Sequence, residues 1–276
     1  MKTTAKLLAF VLVFVLSANA FSQESNQQQT QQFKPVYITM TMAHWNDDPE
    51  TDYSDWLATE KEYFDKVINK NDLIMDAGVY THYFTPDNSE IVFVTVYENW
   101  GDIEKANEVN QKLIQEAWPD EKKRQAFLQK QNSYYSPQHS DEIYQSMNYY
   151  IPIKEKTDKP LIYYVRSSDL AMNGQGSPGK FREFHEKVTS KNSKLKGYYT
   201  HRHLWGANSR EMSEVFVFEK LADIEEFFDE NDKLVAETWK DEAERETFMK
   251  EMGKNFTGKH ADYVYRSIPE LQKQNQ

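Results

Sequence analysis

The sequence predicts an α+β protein made of one β-α-β-β-α-β unit written twice, at residues 34–147 and 159–270. Three observations predict it. The chain aligns with itself at an offset of 121 positions, where residues 94–147 meet 215–268 without a gap and 19 of 54 positions are identical. Strand-like and helix-like segments follow in the same order in both halves. Lys34-Pro35 and Lys159-Pro160 open the two copies, with a linker at 148–158 and a short tail at 271–276.

The elements can be taken in order, each checked against its copy. PVYITMTMA (35–43) and PLIYYVRSS (160–168) are rich in β-branched and aromatic residues, hence strands. Between Tyr53 and Asn69, Trp56, Tyr63, Phe64, Val67 and Ile68 fall at helical spacing, as do Phe181, Phe184, His185 and Val188. Residues 74–84 and 195–205 form a second strand, and 91–98 and 213–219 a third, joined by PDNS and GANSRE turns. Asp102 and Asp223 stand where helix N-caps are expected, opening helices that end at Trp118 and Trp239. Further helices at 120–132 and 241–253 precede last strands at 142–147 and 263–268. Within them, Trp118-x-Asp120-Glu121-x-x-Arg124 and its copy read as an N-cap at the Asp and an Arg–carboxylate pair fixing the corner. The element order, with one extra helix, is the ferredoxin-like arrangement.

Two such units in tandem resemble the dimeric α/β-barrel superfamily. It includes antibiotic-biosynthesis-type monooxygenases, stress-responsive A/B-barrel proteins, NIPSNAP-like proteins and haem-binding chlorite dismutase relatives. The resemblance covers residues 34–270 in element order. It implies two ferredoxin-like sheets packed as a pseudo-dimeric α/β barrel in one, monomeric chain. It identifies no specific family and transfers no catalytic residue.

The N-terminus reads as an export signal. Lys2 and Lys6 precede the apolar run Leu7 to Leu16, and Ala18-Asn19-Ala20 supplies a small-residue cleavage pattern. The run is too short to span a bilayer, which needs about 20 residues. Cleavage after Ala20 would release a periplasmic or extracellular protein with a Gln-rich spacer at 21–33. The net charge of −11 disfavours nucleic acid and anionic lipid as partners. With no cysteine, neither disulfides nor thiol chemistry can operate.

Candidate site residues lie mostly on strands. Side chains alternate faces along a strand, so Tyr80 shares a face with His82, and Tyr199, His201, His203 and Trp205 share another. Matching Gly78–His82 to Gly197–His201 makes His201 the counterpart of His82 and leaves His203 opposite Phe84. On the first strands, the Pro35/Pro160 register sets Tyr164 and Arg166 against Thr39 and Thr41. Together these residues suggest one polar face, either a hydrogen-bonded seam or a wet pocket. His139 and His260 sit in H-x-D, where the carboxylate could orient the ring or cap the strand entry. Arg245, like Arg124, could hold an anion.

No cofactor is called for and no metal set is complete: His44 stands alone, and His201-x-His203 lacks a third ligand. The acidic loop at 46–52 lacks calcium-loop spacing. No nucleophile elbow, P-loop or dinucleotide fingerprint occurs. The expected function is binding of a small apolar or aromatic molecule in an aromatic-lined cleft, mainly in residues 159–270. The latter rests on Arg166, His201, Arg202, His203 and the Gly-rich loop 173–179. The alternatives are a cofactor-free oxygenase or haem protein, with His201 as haem candidate, or a protein-interaction module.

Overall fold

The computed structural model describes residues 33–46, 52–155, 157–172 and 174–274. The export signal, nearly all of the spacer and residues 47–51 of the acidic loop lie outside them. The first half runs β1 (Tyr37–Trp45), α1 (Tyr53–Lys66), β2 (Asp76–Phe84), β3 (Glu90–Tyr97), α2 (Trp100–Ala117), α3 (Glu121–Ser133) and β4 (Tyr135–Ser146). The second repeats it as β5 (Ile162–Leu170), α4 (Pro178–Lys187), β6 (Gly197–Trp205), β7 (Glu211–Phe218), α5 (Ala222–Thr238), α6 (Glu242–Gly253) and β8 (Phe256–Gln272). No helix among the described residues is long and apolar enough to cross a membrane.

The eight strands form one closed antiparallel barrel in the order β1-β3-β2-β8-β5-β7-β6-β4. Each half contributes four neighbouring strands, and two seams close the ring, β2 on β8 and β4 on β6. Closure leaves no sheet edge to protect. The halves therefore join edge to edge through backbone hydrogen bonds as well as facing one another across a lumen.

Every expected element is present, and the differences lie at the ends. β4 and β8 start at Tyr135 and Phe256, well before the expected 142 and 263. Their early residues, such as Ser136-Pro137-Gln138-His139, are mostly exposed, so they lack the apolar alternation that marks a strand. Asp120 and Asp241 are N-caps as expected, accepting Lys123 N–H and Glu244 N–H at 2.9 Å each. Asp102 is not. Its carboxylate lies inside the helix and accepts the N–H of Asn99, the true cap, at 3.2 Å. Asp223 repeats this with Lys220 N–H. Nor do the corner arginines pair with carboxylates. Arg124 and Arg245 each donate to the preceding tryptophan's carbonyl, Trp118 O and Trp239 O, at 2.9 Å. Those carbonyls are left unpaired where a helix ends, which is why a guanidinium settles there. Beside them, Trp118 stacks on Phe127 and Trp239 on Phe248 at 4.0 and 3.9 Å. Each stack is worth about 1 kcal/mol beyond its buried area.

The strand register overturns one sequence alignment. Asp76 pairs with Val96 and Gly197 with Val217; His82 pairs with Tyr265 and His203 with Tyr144. The second strands therefore match at the same offset of 121 as the rest of the unit. His203 is the counterpart of His82, Tyr80 that of His201, Gly78 that of Tyr199 and Phe84 that of Trp205. Asn71 and Asn192 confirm the offset, bridging to Ala106 O and Asn110 in one half and to Phe227 O and Asn231 in the other. The shared G-x-Y-T-H string is a coincidence of composition. The first-strand match of Thr41 to Arg166 holds, since Tyr37 pairs with Tyr97 and Ile162 with Phe218.

Two layers of core follow from strand alternation. On the outer face, Ala77, Val79 and Ile91 pack under Trp56, Phe64 and Ala106 of the helices. Inside, Leu161, Val215 and Val217 cluster with Tyr163, Val165 and Tyr199, with no helical residue among them. Tyr80 meets Tyr163 across non-adjacent strands at 4.7 Å between ring centres.

Candidate functional site

The barrel divides the sequence-predicted residues between its two faces. Tyr80, His82, Tyr199, His201 and His203 point into the lumen, whereas Tyr164 and Arg166 point out toward the helices. The single polar face expected of them does not exist. Arg166 donates to Tyr164 Oη at 2.7 Å and to Asp262 at 3.3 Å, and Tyr164 donates to Asp262 at 2.5 Å. The rings of Tyr164 and Phe228 lie beneath its guanidinium. His260 stands 3.2 Å from the same Asp262 and is half exposed. His139 repeats this with Asp141 at 3.4 Å. Arg245 is held at its helix corner, and Trp205 is largely exposed at the end of β6.

Inside the lumen the polar groups answer one another across the two halves. Tyr144 donates to Glu211 and Tyr265 to Glu90, both at 3.2 Å. These two bonds are copies of each other at the repeat offset. Burial and the facing carboxylates push both phenols well above their usual range. His203 Nε2 bonds Glu142 at 2.7 Å, and the Ala207 N–H donates to the same carboxylate. Gly206, at φ 133°, keeps a side chain out of the space that carboxylate fills. Burial alone drives His201 down to about 4, so its ring is neutral at pH 7. His82 bonds Thr85 at 2.8 Å, and His44 lies beside Ser89 and Asp87. Among the described residues no group of three or more such side chains is arranged to hold a metal ion.

The cavity with a buried ionisable group lies elsewhere, in the first half, between the sheet and helices α1 and α3. It measures about 260 Å³. Glu60 of α1 faces it, 2 % exposed. Tyr135 donates to one carboxylate oxygen at 2.7 Å and Gln131 to the other at 3.0 Å. Trp56 Nε1 donates in turn to Tyr135 Oη at 2.7 Å. Burial raises the Glu60 carboxyl, and the two donors only partly offset it. Tyr63 beside it is pushed up to about 12 by burial and by the Glu60 charge. A second hollow, about 370 Å³, lies between α4 and α6, lined by Lys180, Glu183 and Trp239.

Why the first half holds this cavity is legible in the repeat. Ala77 and Thr95 on its sheet correspond to Tyr198 and Phe216, which fill the equivalent space and pack on each other at 4.9 Å. The helix position of Glu60 is Phe181 in the second half. The ligand site was expected mainly in residues 159–270; this cavity lies in the first half, where the small side chains are, and the hollow between α4 and α6 lies in the second. Sequence reasoning passed over Glu60 because it looks like one of many helix-surface glutamates. The signal was available in the pairs Ala77/Tyr198 and Thr95/Phe216, once the copies are aligned without a gap.

The architecture is that of the dimeric α/β-barrel class, with both halves in one chain. Solved structures show the likeness. A candidate monooxygenase from Lactobacillus acidophilus superposes with a TM-score of 0.53 at 9% identity, over 88% of this chain and 97% of that one. One from Fusobacterium nucleatum gives 0.54 at 8%, over 88% and 95%. A chlorite dismutase variant from Candidatus Nitrospira defluvii gives 0.50 at 11%, over 85% and 92%. At these identities the likeness is one of fold. No protein-family model matches the chain, and no curated protein matches it by sequence.

The Glu60 cavity does not fit a haem. It carries no imidazole, thiolate or thioether, burial pushes its phenols Tyr63 and Tyr135 up and away from the ionised form that would ligate iron, and at about 260 Å³ it is below the usual range for drug-sized ligands, about 300–1,000 Å³. His201, the sequence-based candidate, is packed into the lumen beside Tyr144.

Proposed function

We propose that this chain binds a small organic molecule in the first-half cavity, between the sheet and helices α1 and α3. The observation that carries the reading is a buried carboxyl, Glu60, facing a cavity that the second half has filled with Tyr198 and Phe216. A core of helix on sheet normally closes; this one stays open at a polar, hydrogen-bonded centre. Phe93 and Tyr135, edge to face at 5.7 Å, supply an aromatic wall.

The test uses Trp56, which is buried and bonded to the cavity wall through Tyr135. Titrating small aromatic compounds should change its fluorescence. Thr95→Phe and Ala77→Tyr, copying the second half, should weaken binding at least tenfold, while His201→Ala leaves it unchanged. Undiminished binding in both filled variants would place the ligand elsewhere.

A second reading, a cofactor-free oxygenase, is favoured by the same carboxyl. A buried glutamate with a raised pKa is a base suited to taking a proton from an activated C–H or O–H. The fold likeness to candidate monooxygenases supports this reading. Oxygen uptake with electron-rich phenols, abolished in Glu60→Gln, would support this reading over plain binding.

The two halves are on this view copies of one ferredoxin-like unit. In each the strands lie in the order fourth, first, third, second, which supports the reading. The chain is also proposed to be exported and to work as a monomer. The mass of the mature protein in the extracellular or periplasmic fraction, and sedimentation of the purified chain, test both.

A further inference from the structure

The binding reading above leaves the ligand's charge open, and a comparison of two carboxyls of the outer layer, one in each half, decides it. Glu214 of β7 lies in the second half, half-buried, and accepts Tyr198 Oη–H at 2.6 Å. Burial raises its carboxyl, and the Tyr198 bond and then the charge of Arg166 on the same sheet face offset this in part. Glu60 in the first half has no such answer. The position of Arg166 is Thr41 there, and Thr41 is turned to Asp141 at 2.6 Å.

No basic side chain stands within ion-pair distance of Glu60 among the described residues. Its neighbours are the donors Tyr135 and Gln131. Lysines on the flanking helices are committed elsewhere: Lys130 to Asp55 and Lys66 to Glu62, both at 2.7 Å. A carboxylate offers about four acceptor positions, and Glu60 has two in use. The rings of Tyr63, Phe64, Phe93 and Tyr135 line the same cavity. Ring faces carry partial negative charge and attract cations, most strongly where water is excluded.

We propose that the cavity selects an organic cation: a primary or methylated ammonium carried on a small aromatic or aliphatic body. The ammonium sits against Glu60 and supplies a positive charge that no side chain of the described residues supplies there. Its N–H groups, where present, bond the unused carboxylate positions, and its carbon face lies on Phe93 and Tyr135. An overall charge of −11 adds long-range attraction for such a ligand.

The experiment titrates the full chain with phenethylammonium and benzyltrimethylammonium, and with the neutral 2-phenylethanol and the anionic 3-phenylpropionate. Trp fluorescence and calorimetry report binding. The cations should bind at least tenfold tighter than the alcohol, with the anion weakest. Glu60→Gln should remove that preference by weakening the cations while the alcohol binds as before, which also shows that the variant is folded. Equal binding of cation and alcohol, or a preference kept in Glu60→Gln, overturns the inference and leaves the cavity as a neutral site. Silence from all four probes overturns the cavity as a ligand site, and the inference with it.

Discussion

Replacing Glu142 with alanine tests how firmly the two halves are tied. Glu142 is on β4 and His203 on β6, so their 2.7 Å bond crosses one of the two seams that close the barrel. The side chains are 8 % and 2 % exposed. The carboxylate also accepts the Ala207 N–H at 3.1 Å, anchoring the β6–β7 turn. Alanine leaves the His203 Nε2 without a partner, on a ring whose Nδ1 already has none. It also releases the Ala207 N–H, which lies on an exposed residue and can bond water. The buried imidazole left without its partner costs about 1–3 kcal/mol. For a chain of this size that lowers the melting temperature by roughly 5 °C. Equilibrium urea unfolding, followed by tryptophan fluorescence, gives the free energy directly. His203→Phe should lose a similar amount, and the double variant Glu142→Leu with His203→Phe should recover most of it. Single losses below about 1 kcal/mol, or a double loss equal to the sum of the singles, would refute the seam argument.

Two further outcomes follow from the lumen. Folded His201 titrates near 4, against about 6.5 in an unfolded chain. Below pH 6.5 the unfolded state binds the proton first, so this residue alone removes up to about 3 kcal/mol of stability as pH falls toward 4. His201→Phe should flatten the acid side of the stability profile by that amount, measured as the difference between pH 7.5 and pH 4.5; parallel profiles would show the ring is not held neutral. Tyr144→Phe and Tyr265→Phe each delete one of the two repeat-related bonds to Glu211 and Glu90, and should cost matching amounts of about 1 kcal/mol. Losses differing by more than twofold in urea unfolding would show that the halves have diverged there.

The fold was legible because it is written twice. Val67 and Val188, or Asp120 and Asp241, support one another where either alone would be ambiguous. The early parts of β4 and β8 were not legible, because their exposed polar residues carry no alternation and only barrel closure makes them strands. The site was read less well, for two physical reasons. Tyr164 and His201 are on neighbouring elements of the sequence pattern but on opposite faces of a closed sheet, and period-two alternation fixes faces within a strand, not between strands. The second reason is that a cavity is defined by what is missing. Ala77 and Thr95 attract no notice until Tyr198 and Phe216 show what could have stood there.

Both seams of the barrel join one half to the other, and this bears on how the protein is made. While the second half is still being synthesised, β2 and β4 stand with bare backbone donors and acceptors, a template for any extended chain nearby. β6 and β8 are the intended partners, yet identical strands on a neighbouring molecule would satisfy the same bonds. At high expression the expected error is therefore exchange: two chains, each lending its second half to the other, giving a pair of complete barrels with no new contact chemistry. Tethering both halves in one chain raises the local concentration of the correct partner, so dilute, slow synthesis should favour the single-chain barrel.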